Sequence, residues 1–122
     1  MPIEEILEKI APLKSVVVAN KEGIHVADVG DINTEFVETI AGMIATNMGS
    51  GDYLLETADF PPTDGSQDAA NFITIEGNGG KAYLSLTGER VIGGFAELSA
   101  EDKACRDAMN RVSEYVSKNE DL

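Results

Sequence analysis

The 122-residue sequence predicts an α+β domain in which helices cover a five-stranded antiparallel sheet. Three observations favour this class. Apolar residues recur every three or four positions in three stretches, and five short runs are β-branched or alternate in polarity. Turns of about four residues connect neighbouring runs, which makes consecutive strands antiparallel partners. The predicted order is α-β-β-α-β-β-β-α.

The first half of the chain predicts a helix, a hairpin and a second helix. Ile3, Ile6, Leu7 and Ile10 form the stripe of an amphipathic helix. Strands are predicted over residues 15–19 and 24–29, on either side of a turn. A second helix is predicted from Thr34 to about Met48, with Asn33 as its N-cap. Gly49-Ser50-Gly51 is predicted to interrupt this helix.

The second half predicts three strands and a last helix. The strands are predicted over residues 71–76, 81–86 and 91–96. The segment Ser99-Ala100-Glu101-Asp102 has the pattern of a capping box, so the last helix is expected to begin there. The prediction is therefore one domain over residues 1–118, followed by a polar tail over residues 119–122.

Composition excludes several classes of function. Twenty-two acidic residues against nine basic ones give a formal charge of −13, which repels nucleic acid and anionic lipid. The single cysteine, Cys105, cannot form an internal disulfide, and no spacing of ligands predicts a metal site or another cofactor site. No apolar run approaches the length of a transmembrane helix, and the acidic start does not resemble a signal peptide. We therefore expect a cytoplasmic protein that is not inserted in a membrane.

The predicted second helix has a wider apolar arc than one sheet needs to cover. Ile40, Ile44 and Met48 lie within this arc, together with other apolar residues between positions 36 and 48. An exposed arc of this kind is typical of a surface that a second chain covers. The sequence thus predicts a homodimer.

The order of elements resembles that of the dynein light chain Roadblock family. The similarity lies in the hairpin over residues 16–27, in the small residues of Ile40-Ala41-Gly42-Met43-Ile44-Ala45, and in the hairpin over residues 73–84. The resemblance implies a Roadblock/profilin-like fold. It also implies dimers in which the second helices pack together and the third strands pair edge to edge.

The resemblance further implies a non-catalytic adaptor or regulator of a small Ras-like GTPase or a motor-type complex. On that basis we predict no catalytic residue and two surfaces. The predicted dimer interface consists of Ile40, Ile44, Met48, Ile73 and Ile75. The predicted partner surface consists of Glu35, Glu38 and Thr39.

Two patterns could suggest chemistry. Gly77-Asn78-Gly79-Gly80-Lys81 resembles a phosphate-binding loop, but a strand is predicted after it where such a loop needs a helix, so we interpret it as a hairpin turn. Cys105 and His25 could form a nucleophile and its base. We interpret Cys105 instead as a core residue, because it lies on the apolar face of the last helix.

A sensory domain of the PAS or GAF type is the alternative function, since those folds also cover a sheet with helices. Such a domain needs a pocket beside the sheet, commonly lined by aromatic residues. The sequence has four Phe, three Tyr and no Trp, and small residues lie along its predicted strands. These features favour the adaptor.

Overall fold

The computed structural model describes residues 10–62 and 70–119, and within them it confirms five strands and two helices. The helix predicted before Pro12 lies almost wholly outside the described residues. The elements, in chain order, are β1 Ser15–Asn20, β2 His25–Gly30, α1 Val37–Thr57, β3 Phe72–Glu76, β4 Lys81–Thr87, β5 Arg90–Ala96 and α2 Asp102–Lys118. No helix in this part of the chain is long and apolar enough to cross a membrane.

The five strands form one antiparallel sheet in the order β2-β1-β5-β4-β3. The strand β1 lies between β2 and β5, with Val17 opposite both Asp28 and Gly93. This central position agrees with the sequence of β1, which is apolar on both faces and fully buried along most of its length. The edges of the sheet are β2 and β3.

A separate core lies on each face of the sheet. On one face, Val16, Val18, Tyr83 and Ile92 pack with the buried side of α2. On the other face, a second set of strand residues packs with the buried side of α1. Those strand residues are Val17, Ala19, Leu84 and Val91. The two sets alternate along each strand, as the two-residue period of a β-strand requires.

The helix α1 corrects the predicted boundaries, because it begins at Val37 and continues through the glycines to Thr57. Asn33 does not cap the helix directly. Its Oδ1 atom accepts a hydrogen bond of 3.0 Å from the backbone N–H of Glu35, in the turn that precedes the helix. Glycine disfavours a helix by only about 1 kcal/mol, which packing against the sheet can offset.

At Gly51, the helix α1 packs closely against the strand β3. A Cβ atom at this position would lie 2.9 Å from Cδ1 of Ile73, which is closer than real side chains come. The helix therefore lies close to β3 at Gly51, and a side chain at this position would require the end of Ile73 to shift. Sequence periodicity alone could not show this contact, because the two residues are 22 positions apart.

The helix α2 begins at Asp102, and the predicted capping box does not form. No side chain caps its first turn, and the residue before the helix is Glu101. The carboxylate of Asp102 is instead bonded to the sheet through Tyr83 and to its own helix through Arg106. The first side chain of the helix is thus held by the sheet and by the next helical turn.

Candidate protein-interaction surface

The outer side of α1 carries large apolar side chains in contact with water. Met43 is 58% exposed and Leu54 is 65% exposed, and Phe36, just before the helix, is 53% exposed. At 100° per residue these three positions fall on one side of the helix, next to its buried side. We call this side the outer stripe; its members are Phe36, Ile40, Met43, Asn47, Ser50 and Leu54.

The outer stripe contains no charged residue, although the chain carries a formal charge of −13. The acidic residues of α1 are Glu38, Asp52 and Glu56, and at helical spacing all three lie on the opposite flank. Lysine and arginine are absent from the whole sequence between Glu22 and Gly80. The charged residues of α1 itself are therefore all acidic, and we call the side on which they lie the acidic flank; Lys21 of the first hairpin lines a cleft with Asp52 there.

The strand β3 lies at an open edge of the sheet. Among the described residues it pairs only with β4, so one row of its backbone N–H and C=O groups has no strand partner there. Its sequence, Phe72 to Glu76, has neither proline nor lysine, the residues that commonly protect an edge from pairing. The residue Ile75 points to the α1 face and is 44% exposed. This edge can accept another strand.

The opposite edge, β2, has a different character. Its pairing with β1 is irregular after Val18, where Ala27 and His25 oppose Val18 and Ala19, leaving Val26 as an extra residue. The extra residue brings His25 and Asp28 to the same face, and their side chains meet at 2.8 Å. A bulge and charged side chains both disfavour pairing at an edge.

The structure corrects two residues of the predicted dimer interface. Ile44 is 3% exposed and Met48 is 4% exposed, because both point under α1 into the core of their own chain. The wide apolar arc thus has two parts: a buried side against the sheet and the outer stripe. Ile40 and Ile73 are half-buried against the same core, and Ile75 is exposed.

The predicted partner-surface residues Glu35, Glu38 and Thr39 are all exposed near the beginning of α1. They do not lie on one side, since at helical spacing Glu38 belongs to the acidic flank and Thr39 borders the outer stripe. Sequence reasoning missed the exposed residues at the other end of the helix, Tyr53 and Leu54. A helix prediction extended past Gly51 would have found them.

The patterns that could suggest chemistry have structural explanations. Glu76 pairs with Lys81 across a hairpin, and the N–H of Gly77 donates to the carbonyl of Gly80, so this glycine-rich segment is a turn. Cys105 is fully buried in the α2-side core. The residue His25 pairs with Asp28 at the sheet edge. Within the described residues, no cluster of possible metal ligands occurs.

A polar network connects α2 to the sheet. The hydroxyl of Tyr83 donates to Oδ1 of Asp102 at 2.8 Å, and Nε of Arg106 donates to Oδ2 of the same carboxylate at 2.9 Å. These two donors lower the pKa of Asp102, and burial raises the pKa of Tyr83. The guanidinium of Arg106 also lies 4.9 Å from the centre of the Phe72 ring. These contacts satisfy the polar groups of α2 within the chain. The exposed side of α2 carries charged residues, unlike the outer stripe of α1.

A cleft of about 490 Å³ lies beside the turn between β4 and β5. Its lining includes Thr87, Arg90, Val116 and Ser117, and none of its described lining residues is aromatic. A sensory pocket commonly has aromatic walls. This cleft therefore gives no support to the PAS or GAF alternative.

Comparison with known proteins identifies the fold. MglB of Myxococcus xanthus superposes with a TM-score of 0.77 at 18% identity, covering 92% of this chain and 80% of that one. A Roadblock/LC7 domain from Streptomyces avermitilis gives 0.78 at 11% identity, covering 98% and 94%. MglB in a tetrameric arrangement gives 0.76 at 13% identity, covering 95% and 82%.

The chain has the Roadblock/LC7 fold. No protein-family model matches the sequence, and no curated protein matches it either. The resemblance noted in the sequence is therefore confirmed by structure, at the level of the fold. The open edge at β3 and the outer stripe are features of this chain within that shared fold.

Proposed function

We propose that the protein is a non-catalytic, dimeric adaptor or regulator of a small Ras-like GTPase or a motor-type complex. The observation that carries the proposal is the outer stripe of α1, which exposes large apolar side chains and no charge. The largest exposed apolar patch of a soluble protein is often functional, and such patches mark interaction sites. The GTPase as partner rests on the resemblance to the Roadblock family.

The size of the stripe indicates that α1 is one part of a larger interface. From Phe36 to Leu54 the stripe is about 27 Å long, and a helix is about 10–12 Å wide, so its footprint is on the order of 300 Å². A stable interface buries about 800 Å² per partner. The open edge at β3, with Ile75 exposed on the α1 face, would supply more of that area.

The acidic flank suggests how a further partner is recognised. Glu38 and Glu56 are exposed on one side of α1, and Lys21 is the basic residue that lines a cleft with Asp52 on this flank. A surface of one sign speeds encounter with a partner of the opposite sign and contributes to specificity. We therefore expect a basic surface on the partner, which would dock on the dimer.

The dimer is tested by Met43→Asp, which puts a charge on the outer stripe without touching the core, since Met43 is 58% exposed. Light scattering at micromolar concentration should give twice the chain mass for the natural protein and one chain mass for the variant. The control is Asn110→Asp, which adds the same charge to an exposed position of α2. A natural protein that is monomeric at every concentration would contradict the proposal.

The partner is tested with purified small GTPases from the source organism, each loaded with GDP or with a non-hydrolysable GTP analogue. We expect one of them to bind the natural protein and to bind Met43→Asp much more weakly. Nucleotide turnover by the GTPase, measured with and without the protein, distinguishes a regulator from a scaffold. The protein alone should hydrolyse nothing. Full-affinity binding by the monomeric variant would show that one chain is enough.

A further inference from the structure

We infer that Asn78 is a site of chemical modification, at which the chain converts an asparagine into aspartate and isoaspartate without an enzyme. The reacting groups are the side-chain amide of Asn78, the backbone nitrogen of Gly79 and water. The site lies in the turn that joins the edge strand β3 to β4. The inference is independent of the proposed partner and of self-association.

The sequence sets one asparagine before a glycine. Of the seven asparagines, only Asn78 is followed by glycine, and each of the others precedes a residue with a side chain. A backbone nitrogen that attacks the side-chain amide of the preceding residue must come within bonding distance of it. Glycine has no Cβ atom and the freest backbone, so it hinders this approach least. Asn78 is therefore the asparagine at which the sequence most favours the reaction.

The structure leaves both reacting groups accessible. Asn78 and Gly79 are exposed, and a Cβ atom added at Gly79 would meet nothing within 4 Å. With the part of the chain that the structure describes, the side chain of Asn78 makes no hydrogen bond, and the N–H of Gly79 donates none. The bond that closes the turn runs from the N–H of Gly77 to the carbonyl of Gly80, so it uses neither group.

Other asparagine side chains are held in place by hydrogen bonds. The Oδ1 atom of Asn20 accepts from the N–H groups of Glu22 and Ile24, at 2.9 Å and 3.0 Å. The Nδ2 atom of Asn47 donates to the carbonyl of Met43 at 2.8 Å, within α1. A side chain held in this way is kept from the next backbone nitrogen, and inside a helix that nitrogen is itself hydrogen-bonded. These positions are internal references for the reactivity of Asn78.

The reaction releases one ammonia and consumes one water. The nitrogen of Gly79 loses its proton to hydroxide and bonds to Cγ of Asn78, and the bond from Cγ to the side-chain nitrogen breaks. That nitrogen takes a proton from water and leaves as ammonia, which regenerates hydroxide and leaves a succinimide ring. Water then opens the ring. Opening at Cγ gives aspartate, and opening at the main-chain carbonyl gives isoaspartate, in which the chain runs through Cβ and Cγ.

Both products change the turn at the end of β3. Each carries a carboxylate that is ionised at neutral pH, close in sequence to Glu76, in a chain whose formal charge is already −13. Isoaspartate also adds a methylene group to the main chain, so the turn no longer matches the spacing of Gly77 and Gly80, whose hydrogen bond is 2.9 Å long. Isoaspartate therefore loosens the pairing of Glu76 with Lys81, whereas aspartate keeps it.

The site is tested by ageing the natural protein at mildly alkaline pH and then cleaving it after glutamate in mild acid, which gives a peptide over residues 77–89. We expect this peptide to become heavier with time by the difference between a hydroxyl and an amino group, and to separate into two chromatographic forms. Ammonia should appear in equal amount. The pair Asp64-Gly65, which can form the same ring without a change in mass, falls in the separate peptide over residues 57–76.

The matched control is Gly79→Ala, which keeps Asn78. The added Cβ atom meets nothing within 4 Å, and the backbone of Gly79 does not have a positive φ, so the turn should be unchanged. This variant should form the heavier peptide at least several-fold more slowly. Equal rates in the two proteins would overturn the inference. So would an earlier gain in mass at Asn20 or Asn47, or a folded protein that stays unmodified while a synthetic peptide over residues 77–89 reacts.

The loosening of the hairpin is tested on the isoaspartate form, separated by chromatography from the aged protein. Asn78→Asp carries the same charge without the extra methylene group and is the control. We expect the amide of Gly77 to exchange its hydrogen several-fold faster in the isoaspartate form than in Asn78→Asp, measured by NMR, because its bond to Gly80 is weakened. Equal exchange in the two proteins would show that the extra methylene group leaves the hairpin intact and would overturn this part of the inference.

Discussion

The two helices cover opposite faces of the same sheet, yet their outer sides differ in chemistry. The helix α2 carries seven charged residues among its 17, of both signs, and its apolar residues are buried or half-buried. The helix α1 carries three charged residues among its 21, all acidic, and exposes Met43, Tyr53 and Leu54. The helix α2 has the composition expected of a helix whose outer side faces water. The composition of α1 supports the proposal that another protein covers it.

The polar side chains of α2 find partners within the chain. Arg106 bonds Asp102 and also donates to Oγ1 of Thr74 at 3.0 Å, and Lys103 lies 3.5 Å from Asp107. Exposed ion pairs of this kind contribute only about 0.2–1 kcal/mol each to stability. The exposed side of α2 is polar and well solvated, and it has no apolar stripe. Burial of its other side is what stabilises it.

The largest expected effect comes from a charge on the buried side of α1. Ile44 packs on the sheet so closely that a Cβ atom at Gly93 would lie 3.0 Å from its Cγ2 atom. Ile44→Asp should therefore lower the free energy of unfolding by about 4 kcal/mol or more, measured by urea denaturation. The physical reason is an uncompensated carboxylate in the core. Met43→Asp, one residue away, is the control and should leave the fold intact.

Two methionines give the next comparison. Met109 is fully buried under α2, whereas Met43 is exposed on α1. Met109→Ala should reduce the free energy of unfolding by about 2–5 kcal/mol, because it leaves a cavity. In a chain that is already monomeric, Met43→Ala should change it by less than about 0.5 kcal/mol. Urea denaturation at nanomolar concentration makes the comparison. Equal losses would mean that Met43 belongs to the core.

The network on α2 predicts a dependence of stability on pH. The pKa of Asp102 is lowered by the hydrogen bond from Tyr83 and then by the one from Arg106, so the folded protein favours the carboxylate. This stabilisation is present above the unfolded pKa of about 4 and is lost as the pH falls through the folded value.

Asp102→Asn should therefore be less stable than the natural protein at neutral pH, and the difference should shrink in acid. Urea midpoints between pH 7 and pH 2.5 measure it. Asp107→Asn removes the same charge from the same helix and serves as the control. A difference between the natural protein and Asp102→Asn that stays constant over the whole range would contradict the assignment of the pKa shift.

The smallest expected effect concerns the acidic flank. Glu38→Lys should leave the dimer intact, because Glu38 lies away from the outer stripe, and should weaken partner binding by several-fold at low salt. The weakening should decrease as salt is added, since screening acts on exposed charges. Glu114→Lys makes the same exchange on α2 and should have little effect. A salt-independent effect of Glu38→Lys would exclude electrostatic attraction as its cause.

Much of the fold was determined by local patterns in the sequence. The β-branched run around Val17 predicted a central strand, and the glycine-rich segment after Glu76 predicted a hairpin, because side-chain period and turn chemistry act over a few residues. All five strands and the last helix were predicted close to their observed bounds. The burial of Cys105 also followed from its position on an apolar helix face.

Tertiary structure alone decided how α1 uses its apolar residues. The arc was visible in the sequence, but Ile44 and Met43 are adjacent and differ in burial only because the sheet lies on one side of the helix. The helix α1 likewise continues past the glycines at which the sequence predicted an interruption, and Gly51 there lies against Ile73 of the sheet. Local propensity penalises glycine in a helix, and contacts with residues far along the chain outweigh that penalty.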